Sequence, residues 1–168
     1  MKSLFYFATL LVCLSSCSKV KWATVTVNDK YTMQLHDYLE YGTFYPEASL
    51  QYKNEEREFY LVVLDESKSQ FKEYGLDYDL STYFKVAANK FDSTGKVNPN
   101  KIKIGQDSAR TAEFKGLIAG NEVYYKMVTV ESKGTFYKML IWMLMRDKDK
   151  YAPDVDKILN SFREVPGK

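Results

Sequence analysis

The chain has 168 residues, one domain's worth with room for a leader. A hydrophobic content of 45% and a charged content of 27% are those of an ordinary globular protein. The formal net charge is +2, and the basic residues are mixed with acids and form no stripe, which argues against nucleic acid as a partner. Tyrosine is in excess, with 14 copies, and suits both half-buried sheet faces and binding surfaces.

In chain order the leader comes first. Lys2 supplies a short positive start, and residues 4–14 form an uncharged run of about 11 residues. That is too short for a mature membrane span and fits the apolar core of a secretory signal. The run ends in Leu14-Ser15-Ser16-Cys17, an aliphatic residue, two small ones and a cysteine.

This tetrad resembles the lipobox of bacterial lipoproteins. The resemblance implies a diacylglycerol on the Cys17 thiol, cleavage just before Cys17 and acylation of the new amino group. Residues 1–16 would be the signal peptide and 17–22 a lipidated tether. Each buried methylene contributes about 0.8 kcal/mol, so two or three acyl chains hold a soluble domain on a membrane. Cys13 would leave with the leader, so the mature chain would hold one lipidated cysteine, no disulfide and no thiol nucleophile. No acidic run follows Cys17, and position 18 is serine, not aspartate. Those features point to the periplasmic face of a membrane, the outer more than the inner. Lys19, Lys21 and Trp22 could rest at the lipid interface or form a plain solvated tether.

The rest, residues 23–165, reads as one domain. Val25 and Val27 alternate with Thr24 and Thr26; Asn28-Asp29 turns the chain; Tyr31, Met33 and Leu35 alternate again, giving a hairpin. Residues 36–46 break the pattern with Tyr38, Tyr41, Gly42, Phe44, Tyr45 and Pro46. The spacing predicts an ordered loop with no element of its own, in which Tyr38, Tyr41, Phe44 and Tyr45 are candidate binding residues or caps on the core. A second hairpin follows, over residues 48–53 and 57–65 with a turn at Asn54-Glu55-Glu56; its second strand is apolar on both faces.

Residues 66–74 predict a short helix stopped by Gly75. Asp79 can cap a second, in which Leu80, Tyr83, Phe84, Ala87, Ala88 and Phe91 share one face before Asp92-Ser93-Thr94-Gly95 ends it. Ile102 and Ile104 mark a short lysine-bearing edge strand. Residues 108–118 alternate, with Ala112, Phe114 and Ile118 inward, and turn at Ala119-Gly120-Asn121. The strand over 122–131 and the strand over 135–145 then form the longest hairpin. Both faces of the second are apolar: Phe136, Leu140, Trp142 and Leu144 on one, Tyr137, Met139, Ile141, Met143 and Met145 on the other. A helix over residues 147–163 offers Tyr151, Val155, Ile158, Leu159 and Phe162 as a cover.

The expected fold class is therefore α+β, a mostly antiparallel sheet sandwiched by helices in α/β/α layers. The order of elements, with Ala48-Ser-Leu-Gln-Tyr52, Phe59-Tyr-Leu-Val-Val-Leu-Asp-Glu66, the long hairpin and Lys157-Ile-Leu-Asn-Ser-Phe162, resembles the Mog1/PsbP-like fold. That fold includes envelope lipoproteins and extrinsic photosystem subunits, and the resemblance implies binding and scaffolding without shared catalysis.

Chemistry is hard to find. His36 is the only histidine; a strand sends it and Asp37 to opposite faces, and no serine is placed with them. A single histidine without a free cysteine does not make a zinc site, so no metal and no cofactor are expected. Asp77 with Asp79, and Asp147 with Asp149, lack the full calcium-loop pattern and fit helix starts instead. Three functions stay open. One is a non-enzymatic, lipid-anchored domain that binds an envelope protein. Another is a small-molecule or lipid carrier using the aromatic loop. The last is a carboxylate-dependent hydrolase whose acids nothing selects.

Overall fold

A computed structural model describes residues 22–91 and 99–165. The elements are β1 (Trp22–Val27), β2 (Tyr31–His36), β3 (Glu40–Tyr41), β4 (Leu50–Asn54), β5 (Phe59–Ser67), α1 (Lys68–Glu73), α2 (Leu80–Ala88), β6 (Asn100–Ile104), β7 (Asp107–Ile118), β8 (Asn121–Glu131), β9 (Thr135–Leu144), a 3-10 turn (Met145–Asp147), α3 (Lys148–Asn160) and β10 (Arg163–Glu164). The strands form an antiparallel seven-stranded sheet in the order β3-β4-β5-β9-β8-β7-β6 and a three-stranded sheet in the order β1-β2-β10. This is an α+β fold of antiparallel sheets flanked by helices.

The doubly apolar strand β9 lies between β5 and β8, and each of its faces has a different cover. Tyr137, Met139, Ile141 and Met143 meet Tyr31, Met33 and Leu35 of β2 and Tyr151, Val155, Ile158 and Leu159 of α3 in one core cluster. On the other face Leu140 joins Val62, Ala112 and Met127 beneath Phe84, Ala87 and Ala88 of α2. Further along, the Tyr83 ring stacks on Phe136 with centroids 4.5 Å apart. The first hairpin therefore leaves the main sheet and shares a face with a helix, so one layer is a small sheet plus α3 and not helix alone.

Local chemistry sets the boundaries. Asn28 and Asp29 sit at φ 48° and 55°, a left-handed region that Asn and Asp tolerate better than most side chains. The Asp79 carboxylate accepts the Thr82 N–H at 2.7 Å and caps α2. Gly75, at φ 72°, ends the α1 turn. β5 runs on through Ser67, so α1 starts at Lys68, two residues later than the spacing predicts. The β4–β5 connection also runs further than expected, through Glu58 at φ 46°. The stop at residues 92–95 lies outside the described residues.

The last helix ends at Asn160, earlier than its periodicity implies. The Ser161 hydroxyl donates to the Ile158 carbonyl at 2.6 Å and accepts the Gln34 N–H at 2.8 Å, tying the helix end to β2. Arg163 then donates to the carbonyls of Asn160 and Phe162 at 2.7 and 2.6 Å. Beyond the helix, Phe162 still fills the core, 4.9 Å from the Tyr137 ring centroid and 5.4 Å from Tyr31. The residues that follow pair with β2 as β10. Phe162 is 1% exposed. Phe162→Ala is expected to destabilise the domain by about 3–5 kcal/mol, read from the urea midpoint at unchanged slope.

Candidate functional site

The aromatic residues of the 36–46 segment do not converge. β3 pairs with β4 through Glu40 opposite Lys53 and Tyr41 opposite Tyr52, which divides the segment. Tyr38 falls on the α3 side. Its hydroxyl donates to Asp154 at 2.9 Å, its ring lies 6.0 Å from Phe59, and the Arg57 guanidinium sits 4.2 Å from its centroid. Burial first, and then the Asp154 carboxylate, hold its phenol well above the ordinary tyrosine range. Phe44 and Tyr45 fall on the α2 side, where their N–H groups both donate to the buried Gln51 Oε1 at 2.7 and 2.8 Å. Tyr41 is 65% exposed and touches Tyr52 edge to face.

A different aromatic array lies across the main sheet. Tyr60 on β5, Trp142 on β9, Tyr125 on β8 and Phe114 on β7 are register partners in one row. Tyr60 and Trp142 stack at 5.1 Å with planes 8° apart, and Tyr125 continues the stack at 6.4 Å from Trp142. Phe44 closes the row edge-on at 5.8 Å from Tyr60 and 5.9 Å from Trp142; Phe91 lies 5.5 Å from Tyr125. Tyr125 also lies over Gly116, where an added Cβ would sit 2.9 Å from its ring. The Phe44 ring therefore caps the row.

Beyond this row lie Val123 and Leu144, buried but outside the cluster packed beneath α2. A cleft of about 310 Å³ opens there between the β4–β5 turn and the β7–β8 tip. Tyr60, Trp142, Val123, Leu144 and Ile118 give it an apolar lining, and Glu58 and Asn121 are its polar side chains. Two left-handed residues that are not glycine frame it, Glu58 at φ 46° and Ala119 at φ 49°. Ile118, expected inward from its alternation, is 49% exposed, and Leu117 beside it is 74% exposed. The two-residue turn carries the tip past the edge of the covering layer, so alternation continues where nothing packs on it. None of Glu58, Tyr60, Asn121 or Trp142 was marked as a site by the sequence. Their proximity is a matter of register between strands, although an Ile beside a tight turn is a legible sign of an exposed apolar tip.

The titratable groups hold few surprises. His36 Nδ1 lies 2.8 Å from the Asp37 carboxylate, closer than strand geometry allows, because β2 ends at His36 and Asp37 is already in the turn. The Tyr38 N–H points at the same nitrogen from 3.3 Å, and the Trp22 and Tyr38 rings flank the imidazole. Trp22 packs beneath Lys157, whose Nζ is 4.0 Å from the ring centroid. Lys138, on β9 beneath α2, has its amine pulled below the ordinary lysine range, chiefly by burial. Among the described residues, no group of three or more His, Cys, Asp or Glu side chains is placed to hold a metal ion. No helix among them is long and apolar enough to cross a membrane. Cys17 lies outside the described residues.

No protein-family model matches the chain, and no curated protein matches it in sequence. Solved structures do match in shape. Cyanobacterial PsbP (CyanoP) from Synechocystis sp. PCC 6803 superposes with a TM-score of 0.63 at 15% identity, covering 90% of this chain and 98% of that one. LpqN of Mycobacterium tuberculosis, described as involved in cell envelope biogenesis, gives a TM-score of 0.55 at 12% identity over 88% and 92% of the two chains. The Ran-binding protein Mog1p of Saccharomyces cerevisiae gives 0.55 at 9% identity over 87% and 96%. At such identities these likenesses establish the fold, which is Mog1/PsbP-like, and nothing about the cleft.

Two outcomes are expected. Glu58→Gly relieves a left-handed glutamate and should stabilise the domain by about 0.5–1 kcal/mol in urea titration. The second concerns pH. Burial lowers the folded-state pKa of Lys138 below its unfolded value, so between the two only the unfolded chain binds this proton. Stability should then rise with pH across that window. The buried tyrosines act oppositely: burial raises the phenols of Tyr31, Tyr83 and Tyr137, so their contribution is lost as pH climbs past the ordinary tyrosine value of about 10. Lys138→Met should abolish the rise, leave the alkaline loss, and raise the melting temperature at neutral pH.

Proposed function

We propose that the protein is a lipid-anchored binding domain of the bacterial cell envelope. Its mature chain would begin at an acylated Cys17 and face the periplasm, on the outer membrane in preference to the inner. The observation that carries this reading is Leu14-Ser15-Ser16-Cys17 at the end of the apolar run, with Cys17 five residues before the first strand begins at Trp22. The leader would be residues 1–16 and the tether 17–22, of which Trp22 already belongs to β1.

Binding is favoured over catalysis by the character of the cleft. Its lining is mostly aromatic and aliphatic, and among the described residues Glu58 is its one carboxylate. A hydrolase using two carboxylates would need a second acid opposite it. A mainly apolar cleft with a few polar groups suits recognition of an apolar or aromatic group presented by an envelope component. The envelope role named for LpqN is in keeping with this assignment. The alternative carrier built on Tyr38, Tyr41, Phe44 and Tyr45 has less support, because those rings are split between two faces and an exposed edge.

The anchor is tested by mass spectrometry of the membrane fraction. An N-terminal, acylated Cys17 peptide is expected, with none of residues 1–16 attached. Cys17→Ala should leave the precursor uncleaved or shift the domain to the soluble fraction. A mature chain recovered from the soluble fraction with an unmodified thiol would overturn the assignment.

A further inference from the structure

The cleft and the N-terminal end of the domain lie at the same end of the fold. Contacts trace the path. Trp22 is 5.1 Å from His36, His36 is 4.0 Å from Tyr38, and Tyr38 is 6.0 Å from Phe59 at the start of β5. The next residue, Tyr60, lines the cleft together with Ile118. Asn54 Nδ2 also donates to the Tyr38 carbonyl at 2.7 Å, fixing the end of β2 to the end of β4. The opposite end of the molecule holds Lys30 against Asp65 and the β8–β9 turn at Lys133.

β1 runs away from this shared end, with Trp22, its first residue, at that end. Cys17 stands five residues before Trp22, and five residues extend to at most about 18 Å. At this end the β7–β8 tip presents Leu117, 74% exposed, and Ile118, 49% exposed, on a turn of only Ala119 and Gly120. Leu117 and Ile118 are successive residues of β7 and point to opposite sides of this hairpin, so a surface that the tip entered end-on would cover both.

We infer that the β7–β8 tip docks into the bilayer beside the acyl chains, with Leu117 and Ile118 immersed in the interface and the cleft opening just above the headgroups. The inference rests on the lipid anchor proposed above. A bilayer is the occupant because a lipidated Cys17 would tether this end of the domain to one, so immersion would need no further partner. The neighbouring charges suit shallow docking on a neutral surface. Glu55 pairs with Lys53 and Asp147 with Arg146, and Glu56, Glu58 and Glu122 stand with Arg57 and Lys115, so both signs are interspersed. Apolar contact would then provide the attraction, and anionic lipid would not be required.

The test uses the mature acylated protein in phosphatidylcholine vesicles, with and without phosphatidylglycerol. Because acylation blocks the Cys17 thiol, an environment-sensitive fluorophore can be placed on Ile118→Cys or, at the far end, on Lys133→Cys. The expected result is blue-shifted emission and quenching by spin-labelled lipid at position 118 only, in both lipid mixtures and at high salt. With the fluorophore moved to Ala119→Cys, Leu117→Ser combined with Ile118→Ser should lower the ratio of docked to undocked molecules roughly ten-fold while the protein stays on the vesicles. Emission unchanged at both positions in protein verified as acylated, or equal quenching at both, would overturn docking by this tip. A second arm separates the two readings. The leaderless chain with Cys17→Ser and a preceding histidine tag is held on nickel-chelating lipid. Quenching at position 118 there supports tip docking even where Cys17 proves unacylated, and its absence there overturns it.

Discussion

The fold depends on one strand whose two faces both require burial. β9 carries large apolar side chains above and below, so it is stable only as the middle layer of a sandwich. The two covers solve the problem differently. On one side a single amphipathic helix, α2, lies across the sheet and uses Ala87 and Ala88 for close approach, while Phe84 fills the space between. On the other, α3 covers part of the face, and the β1–β2 hairpin covers the rest with Tyr31, Met33 and Leu35. Covering a sheet by a folded-back hairpin needs residues of alternating polarity, and β2 has them, buried at Tyr31, Met33 and Leu35 and exposed at Gln34.

Most of this architecture is legible in the residues themselves. Alternation marks the strands, the i, i+3, i+4 spacing marks α2, and Asp79 and Gly75 mark helix ends where the structure has them. What could not be read was the destination of each element. The β1–β2 hairpin has the same pattern whether it extends the main sheet or packs on its face. Phe162 occupies a helical repeat position, yet the chain has already left the helix, because Ser161 and Arg163 supply polar groups that end it. In both cases local periodicity reports which side of a residue is apolar and is silent about what it meets.

The candidate site shows the same division. The cluster of aromatics between His36 and Pro46 is dense in sequence and dispersed in space, because a two-residue strand and the Gln51 side chain route its members to separate faces. The aromatic row on the main sheet is the reverse case. Tyr60, Trp142, Tyr125 and Phe114 are far apart in the chain, and antiparallel register alone makes them neighbours. The cleft lies where that row ends and α2 no longer reaches. Its apolar lining comes from the ends of β5, β8 and β9 and the tip of β7, and its polar groups come from beside the two turns.

The pairing of β1 with β2 has a mechanical meaning. The ladder runs from Trp22 opposite His36 to Val27 opposite Tyr31, with the first residue of the described domain at one end of it. A pull on Trp22 along the strand axis, resisted at the Tyr31 end of β2, would load the rungs together in shear instead of opening them one after another. β2 is in turn stitched to the C-terminal end by β10 and by the bond from the Val165 N–H to the Lys30 carbonyl. A load on β1 resisted in this way would therefore be shared, through β2, with the strand that follows α3.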